Sequence, residues 1–248
     1  FYASRLIHIL NALMGNIEQP GGLFYPKGPK DAGKSGLKSL AALVPGVSEE
    51  RADGCGSRYP QWDKGAGMLQ TAYEAIDSGL PYPVKAYFVH RHDPFIALPD
   101  TDEQMRIINK LDLLVAVDIN FSETAWFADV ILPENTFVER DDILRTEKGL
   151  KPGFGRRQQC VKPINNTKAG WEIYLDLARR MGKGEYFPFT TIEEIWQYQL
   201  QDTGLSVSDF DKKGFVKLTG EAIWFDRDNL KFGTESGKIE IFNGKWEA

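Results

Sequence analysis

The chain has 248 residues, of which 42% are hydrophobic and 26% are charged, and its formal net charge is -5 at pH 7. This length and composition are typical of a folded protein with a core of ordinary size, and they exclude an intrinsically disordered chain. An acidic chain has no general attraction for nucleic acid or anionic lipid, and no apolar stretch approaches the roughly 20 residues of a membrane span, so we expect no nucleic-acid partner.

Two helices are predicted near the start of the chain, on either side of an irregular region. Apolar residues at helical spacing predict the first helix over residues 4–16. Residues 19–36 contain three prolines and five glycines, a composition that favours an extended loop. The second helix is predicted over residues 67–78, and Gly79 is expected to end it.

The middle of the chain has the pattern of a parallel sheet. The predicted elements are a strand over 85–90, a helix over 102–110, a strand over 113–117 and a short strand over 130–132. A strand, helix, strand order with a short crossover is typical of parallel strands joined by right-handed connections. The predicted fold class is therefore α/β, with a Rossmann-like, mostly parallel sheet flanked by helices and long irregular loops.

The remainder of the chain mixes loops with shorter periodic segments. Residues 139–157 combine charges with glycines and are predicted to form a long functional loop. Helices are predicted over 169–182 and 192–200, and a terminal strand over 238–242. We expect residues 1–248 to form one α/β domain, whose parts are an N-terminal helix and irregular segment over 1–66, a Rossmann-like core over 67–182, and C-terminal helices and a strand over 183–248.

Cysteine content limits the metal chemistry of the chain. Cys55 and Cys160 are too few for an iron–sulfur cluster or a structural zinc site, so no metal-binding residue is predicted. The chain begins at Phe1 rather than at Met, and a helical pattern begins at once. We therefore expect it to be a segment of a longer protein.

Polar residues follow two neighbouring predicted strands at the point where each strand ends. Arg91, His92 and Asp93 follow the strand over 85–90, and Asp118 ends the strand over 113–117. Open α/β sheets bind ligands at the carboxyl ends of their strands, so these residues are predicted to share one sheet edge. The carboxylate of Asp118 can accept the two adjacent N–H donors of guanine in a fork. Alternatively, it caps the following turn or holds a ribose diol.

A second nucleotide-binding pattern lies near the start of the chain. The segment from Gly28 to Ser35 satisfies G-x-x-x-x-G-K-[ST], the pattern of a P-loop. A working P-loop requires a buried strand that runs into Gly28 and a helix that begins at Lys34. Pro26 cannot donate to a strand ladder, which makes the preceding segment a poor central strand. A P-loop-type nucleotide-binding protein is therefore the alternative hypothesis.

Several segments resemble the molybdopterin guanine dinucleotide oxidoreductases of the dimethyl sulfoxide reductase superfamily. The resemblance to the third domain of that superfamily lies in Asp118, in Glu-Thr-Ala at 123–125 and in Ala-Asp-Val-Ile-Leu-Pro at 128–133. Further matches are at 10–17, 20–22 and 233–240. Within the superfamily, the residues at 26–29, 133–134 and 139–142 look most like those of thiosulfate and polysulfide reductase catalytic subunits.

The resemblance implies a cofactor, a reaction and partners for the parent protein. The cofactor is a pair of molybdopterin guanine dinucleotides that hold molybdenum or tungsten, and the parent also carries a 4Fe-4S cluster that this fragment lacks. The implied reaction, part of anaerobic respiration, is reduction of a sulfur compound such as thiosulfate or polysulfide. Implied partners are the other domains of the parent, an iron–sulfur electron-transfer subunit and a membrane anchor subunit. The implied location of the parent is the periplasm or the outer face of the cytoplasmic membrane. The isolated fragment is expected to be inactive.

The resemblance also implies which residues contact the cofactor. They are Arg91, His92, Asp93, Val117, Asp118, Thr124 and Arg140. None is singled out as catalytic. Glu139-Arg140 matches a family pair whose cation reaches a cofactor phosphate or ribose; the alternative is an exposed ion pair of Arg140 with Asp141 or Asp142.

The turn after the first strand departs from the family. Asp93 stands where relatives have Asn, and an ionised carboxylate repels a pyrophosphate unless Arg91 or His92 offsets its charge. His92 has two interpretations: it projects toward the substrate cavity, or it is a structural hydrogen-bonding residue.

Overall fold

A computed structural model of the chain describes residues 2–46, 49–59 and 67–241, with side chains from residue 5 onward. The chain divides into two compact units, each built from separate segments of the sequence. The first unit comprises Phe1–Leu40, Ile143–Arg157 and Thr191–Ala248, and the second comprises Ala41–Asp142 and Gln158–Thr190. None of the described helices is both long and apolar enough to cross a lipid bilayer.

Both units contain helices and strands. The α-helices are α1 (Tyr2–Leu13), α2 (Leu69–Ser78), α3 (Pro94–Ala97), α4 (Thr101–Ile108), α5 (Glu123–Trp126), α6 (Gly170–Arg180) and α7 (Ile192–Leu200). The strands are β1 (Ala86–His90), β2 (Leu113–Asp118), β3 (Val130–Pro133), β4 (Arg145–Glu147), β5 (Gly153–Gly155) and β6 (Phe215–Lys217). Short 3-10 helices cover Pro29–Ala32, Leu40–Leu43, Gly184–Tyr186, Val207–Phe210 and Arg227–Asn229.

The second unit is built on a parallel sheet in the order β1, β2, β3. The central strand is covered on both faces. One face packs in a cluster whose buried members are Tyr73, Ile76, Val89, Phe95, Ile107, Ile108 and Leu114. On the other face, Val115 and Val117 pack with Ile173 of α6. The predicted α/β class and its parallel strands are therefore confirmed, and the continuous apolar run of β2 is explained by burial on both sides.

The first unit contains a small antiparallel sheet in the order β4, β5, β6. Phe154 of β5 is completely buried, as is Phe210, and Trp196 of α7 is nearly so. Helix α7 begins at a capping box, in which Thr191 and Glu194 each accept a hydrogen bond from the other's backbone N–H group. The predicted helix over 192–200 is confirmed.

Two predictions about this unit are wrong. The predicted loop over 139–157 contains β4 and β5. Gly153 permits a close approach of strands, because a Cβ there would lie 2.5 Å from the carbonyl oxygen of Val216 in β6. The predicted terminal strand is absent over 238–241, and residue 242 lies outside the described residues. Its backbone forms local contacts instead, since the Thr234 hydroxyl donates to the Lys238 carbonyl oxygen at 2.6 Å.

Candidate functional site

Three strands of the second unit end at one edge of the parallel sheet. His90 of β1 pairs with Val117 of β2, and Asp118 pairs with Pro133 of β3. The residues that follow these positions, including Asp93 and Glu134, therefore lie at a common carboxyl edge. This is the part of an open parallel sheet that binds ligands.

Asp118 is half-buried at the end of the central strand. Its Oδ1 atom accepts the backbone N–H of Ile119 at 2.7 Å and that of Asn120 at 3.4 Å. The turn-capping alternative is therefore correct for this oxygen. Its Oδ2 atom accepts no hydrogen bond from any residue that the structure describes, so the carboxylate is oriented by the chain and still has capacity for a ligand, given its roughly four lone-pair sites.

Asp93 ties the turn after β1 to the turn after β2. Its carboxylate accepts the Thr124 hydroxyl at 2.5 Å and the backbone N–H groups of Glu123 and Thr124 at 3.2 and 3.3 Å. Burial raises the pKa of Asp93, but these hydrogen bonds outweigh it and lower the pKa overall. The Asp93 carboxylate is thus stabilised by hydrogen bonds from Glu123 and Thr124, and it bonds neither Arg91 nor His92, the two residues that the sequence offered to offset its charge, in the described part of the chain.

Two of the predicted cofactor-binding residues have little surface of their own. Thr124 is 0% exposed and gives its hydroxyl to Asp93. Val117 is 0% exposed, and its carbonyl oxygen accepts the backbone N–H of Arg91 at 3.2 Å. Both residues therefore lie beneath the surface of this edge and support its shape. His92, by contrast, is exposed and has no hydrogen bond or ion pair with any described residue.

A buried ionic cluster lies directly beside this edge, centred on Glu134. The Arg91 guanidinium forms a fork on the Glu134 carboxylate, with Nε 2.8 Å from Oε2 and Nη2 bonded to Oε1. His90 Nε2 lies 3.3 Å from Oε2, and Arg140 Nη1 lies 3.3 Å from Oε1. The Glu134 side chain is 0% exposed. Burial raises the pKa of Glu134, but the Arg91 hydrogen bonds and the neighbouring positive charges outweigh it and lower the pKa overall.

Arg140 belongs to the same cluster, and one of the two interpretations of it from the sequence, the exposed ion pair, is wrong. Its side chain is 5% exposed, so it forms no exposed ion pair. Instead it bonds the Asn135 carbonyl oxygen and lies near two buried carboxylates, those of Glu134 at 3.3 Å and Asp142 at 3.5 Å. The Asp141 carboxylate is engaged elsewhere, since its Oδ1 atom accepts the backbone N–H of Gln159 at 3.3 Å. Arg140 is therefore held by this cluster, and its contact with a cofactor stays a prediction.

Glu134 and Gly170 are the residues of this region that the sequence did not identify. A Cβ on Gly170 would lie 2.4 Å from Oε1 of Glu134, so this position in α6 leaves room for the carboxylate. The Tyr174 ring, one turn further along α6, packs on the His90 ring at 5.3 Å between centroids. The sequence signals for Glu134 were its position directly after the strand that ends at Pro133 and the resemblance of residues 133–134 to thiosulfate and polysulfide reductases, neither of which indicated a buried ionic cluster.

Comparison with known proteins identifies the family of the chain. Residues 3–180 match the family model described as molybdopterin oxidoreductase. The chain is 32% identical to the thiosulfate reductase molybdopterin-containing subunit PhsA of Salmonella typhimurium, over 98% of the chain and 36% of that protein. It is 27% identical to the trimethylamine-N-oxide reductase of Haemophilus influenzae, over 94% of the chain and 32% of that protein.

The fold is also similar to that of a solved structure. The acetylene hydratase from Pelobacter acetylenicus superposes with a TM-score of 0.59 at 24% identity, covering 83% of this chain and 27% of that one. The chain thus spans about a third of the length of the relatives that it matches.

Proposed function

The chain belongs to the molybdopterin oxidoreductase family, and on that premise we propose that the carboxyl edge of β1, β2 and β3 binds the nucleotide end of a molybdopterin guanine dinucleotide. The observation that carries the proposal is the state of Asp118. Its carboxylate is fixed by the Ile119 N–H, lies at the ligand-binding edge of a parallel sheet and has an oxygen without a described partner.

Guanine is the base that suits this carboxylate. Its N1–H and N2 amino donors are adjacent, and one carboxylate accepts both in a fork that adenine cannot reproduce. A base bound at Asp118 places the rest of the nucleotide along the same edge, where Arg91 and His92 are exposed. The edge therefore offers a hydrogen-bond acceptor for the base and a cationic donor for the phosphates. These are the two kinds of contact that a guanine dinucleotide requires.

The other predicted contact residues support the edge. Val117 and Thr124 are buried, and Asp93 is held by Thr124. Arg140 lies within the Glu134 cluster. We propose that these four residues act by fixing the backbone and the charges around Asp118 and Arg91. When bound, the cofactor supplies the metal and its redox chemistry, while this chain supplies binding and orientation.

We further propose that the parent protein reduces a sulfur compound, with thiosulfate as the first candidate. The support is the relative of 32% identity, which is named a thiosulfate reductase subunit and which matches 98% of the chain. Reduction of thiosulfate breaks its S–S bond with two electrons and two protons and releases sulfite and hydrogen sulfide. The electrons come from a reduced donor, for which we propose an iron–sulfur partner subunit.

The guanine proposal is tested with Asp118→Ala and Asp118→Asn in the full-length enzyme. Each lost charge-assisted hydrogen bond costs roughly 1.5–3 kcal/mol, which is about 10- to 100-fold in affinity. Asp118→Asn is the sharper variant, because its amide can turn an N–H toward guanine's own donors. We expect both variants to contain less molybdenum and less acid-released GMP per enzyme than the wild type, while remaining folded.

The matched control for this test is Asp112→Ala, at the amino end of the same strand. Asp112 is exposed and pairs only with Lys85, at 3.4 Å, among the described residues. We expect the control to keep the wild-type content of cofactor. If both Asp118 variants also keep full molybdenum, full GMP and normal turnover, then Asp118 is only a turn cap.

The substrate proposal is tested by supplying the full-length enzyme with a reduced viologen and one oxidant at a time. We expect thiosulfate to drive oxidation of the dye with release of sulfite and sulfide. Trimethylamine N-oxide and nitrate serve as comparison oxidants, because two other relatives of the chain are named as reductases of these compounds. Turnover with either of these and none with thiosulfate contradicts the proposal.

A further inference from the structure

Glu134 lies at the centre of a group of charged side chains whose burial costs free energy. Its side chain is 0% exposed, and it contacts Arg91, Arg140 and His90. Together with Asp142, which lies 3.5 Å from Arg140, the cluster balances two arginines against two carboxylates. A buried ion group of this kind adds little to stability compared with apolar packing, so its presence at a binding edge needs another reason.

The hydrogen bonds of Arg91 suggest that reason. Its Nε and Nη2 atoms donate to the two oxygens of Glu134, whereas Nη1 donates to no residue in the described part of the chain. The Arg91 side chain is 39% exposed. One side of its guanidinium is therefore bonded to Glu134, while another side is accessible to a ligand. A free arginine side chain samples many conformations, and this one is already restricted before any ligand arrives.

The backbone of Arg91 adds to the restriction. Its φ angle is 54°, in the left-handed region that residues with a Cβ seldom adopt. The backbone N–H of Arg91 donates to the Val117 carbonyl oxygen at 3.2 Å, as part of the His90–Val117 pair with which the pairing of β1 and β2 ends. Both ends of Arg91 are thus fixed: the backbone on β2 and the guanidinium on Glu134.

We infer that Glu134 is a positioning residue, which fixes the Arg91 guanidinium so that its unbonded Nη1 donates to a phosphate oxygen of the bound dinucleotide. The inference rests on the proposed function and adds a phosphate contact to the guanine contact of Asp118. Arginine suits the role because its planar fork binds a carboxylate on one side while its remaining N–H groups bind a phosphate on the other. The same cation also suits an anionic substrate, and the test separates the two ligands.

The inference is tested in the full-length enzyme with Arg91→Ala, Arg91→Lys and Glu134→Gln. The readouts are molybdenum and GMP content, the rate at which GMP is lost from the purified enzyme at several salt concentrations, and KM for thiosulfate. We expect each variant to lose cofactor roughly tenfold faster or more than the wild type. Arg91→Lys keeps the charge and loses the fork, so its defect isolates the contribution of orientation.

Coupling between the two residues is the sharper readout. If Glu134 acts through Arg91, the Arg91→Lys, Glu134→Gln double variant loses cofactor no faster than the worse single variant, because the second change removes nothing further. Loss of cofactor from Arg91→Ala is expected to depend less on salt than loss from the wild type, since a charged contact is gone.

The matched control is Asp53→Asn, which removes another buried carboxylate of the second unit that bonds an arginine, Arg51, through two nitrogens. It is expected to lower stability without changing the cofactor content. Should Glu134→Gln fail to fold, Gly170→Ala takes its place, since its Cβ displaces the Glu134 carboxylate and leaves every charge present.

Three results overturn the inference. The first is normal cofactor content and normal release from Arg91→Ala and Arg91→Lys. The second is full cofactor content with a raised KM for thiosulfate, which assigns Arg91 to the substrate. The third is a defect in the Arg91 variants with none in Glu134→Gln or Gly170→Ala, which removes the positioning role. Failure of guanine recognition is distinct, because it appears as normal cofactor content in the Asp118 variants.

Discussion

At the scale of single residues, the ligand-binding edge depends on side chains whose roles are set by partners far away in the sequence. The aspartate at the end of β2 was recognisable, because a carboxylate after a buried strand is a common ligand position. For Arg140 the sequence offered a cofactor contact or an exposed ion pair with Asp141 or Asp142; it did not reveal that the pair with Asp142 is buried and that Glu134 belongs to the same cluster. A charged run is usually exposed, and burial of this one is a property of the folded unit.

For the substitution Gly170→Ala, helix propensity and the structure predict opposite changes in stability. Glycine in a helix is usually less favourable than alanine by about 1 kcal/mol, so helix propensity alone predicts that Gly170→Ala stabilises α6. The structure predicts the opposite, because the new Cβ would lie 2.4 Å from Glu134 Oε1 and 3.3 Å from His90 Cε1. We expect destabilisation of roughly 1–3 kcal/mol, as for other overpacked sites.

Thermal melting of wild type and Gly170→Ala checks this prediction. The control is Gly182→Ala, at a position that follows α6 and has open space for a Cβ but a φ of 69°. That control is expected to lose stability through backbone strain alone, without loss of cofactor. A Gly170→Ala protein that melts at or above the wild-type temperature contradicts the close contact with Glu134.

At the scale of secondary structure, the elements with a clear periodic pattern were predicted well. The continuous apolar run of β2 and the helical spacing of α7 both gave the correct element. Strand β5 was missed, because Gly153 and Gly155 are typical of loops, although Gly153 is required here by the close approach of β6. A pattern of residues along one chain segment does not reveal how near a second strand will pass.

The beginning of α2 is held by a partly buried ion pair, between Arg51 and Asp53, that gives a pH prediction. Burial by itself raises the pKa of Asp53, but the hydrogen bonds from Arg51 and from the Met68 and Cys55 N–H groups outweigh it and lower the pKa to about 2. A carboxyl group with a lowered folded-state pKa stabilises the protein above its unfolded-state pKa of about 3.9, and this stabilisation is lost as the pH falls toward 2.

The Asp53 prediction is checked by comparing wild type with Asp53→Asn across this pH range. The shift corresponds to roughly 2.5 kcal/mol at neutral pH. The two proteins should therefore differ most above pH 4 and converge as the pH approaches 2. A stability difference that stays constant over the whole range is the contrary result, and it assigns the effect of the substitution to packing.

The segment from Gly28 to Ser35 does not have the conformation of a P-loop. Pro29–Ala32 is a 3-10 helix, and residues 34–39 form no helix. Lys27, directly before the segment, forms only an isolated bridge with Gly149, and its buried ammonium lies 2.6 Å from Glu18 Oε1. The segment is thus anchored by Lys27 without the strand and helix that direct successive N–H groups at phosphates.

Calorimetry with magnesium ATP tests the alternative function directly. We expect no saturable binding, because Lys34 is exposed and no phosphate-binding turn surrounds it among the described residues. Lys34→Ala is the matched variant and should give the same trace as the wild type. Saturable binding that Lys34→Ala abolishes would favour a nucleoside triphosphatase over the present proposal.

At the scale of the whole molecule, every residue assigned to the edge belongs to the second unit. Residues after β1, β2 and β3 and at the start of α6 build the site, although they come from two separated segments of that unit. The sequence predicted the parallel sheet and hence the edge, but not the ionic cluster beside it, which requires α6 to pack against the end of β3. Because the chain covers 36% of the thiosulfate reductase that it resembles, the complete enzyme is the proper object for functional tests.

The most direct measurement is a structure of the full-length enzyme with its cofactor bound. We predict a guanine base at the carboxyl edge of β2, with its N1 and N2 atoms about 2.7–3.0 Å from the carboxylate oxygens of Asp118. A nucleotide bound elsewhere, or one whose guanine faces residues other than Asp118, contradicts the assignment of this edge as the guanine site.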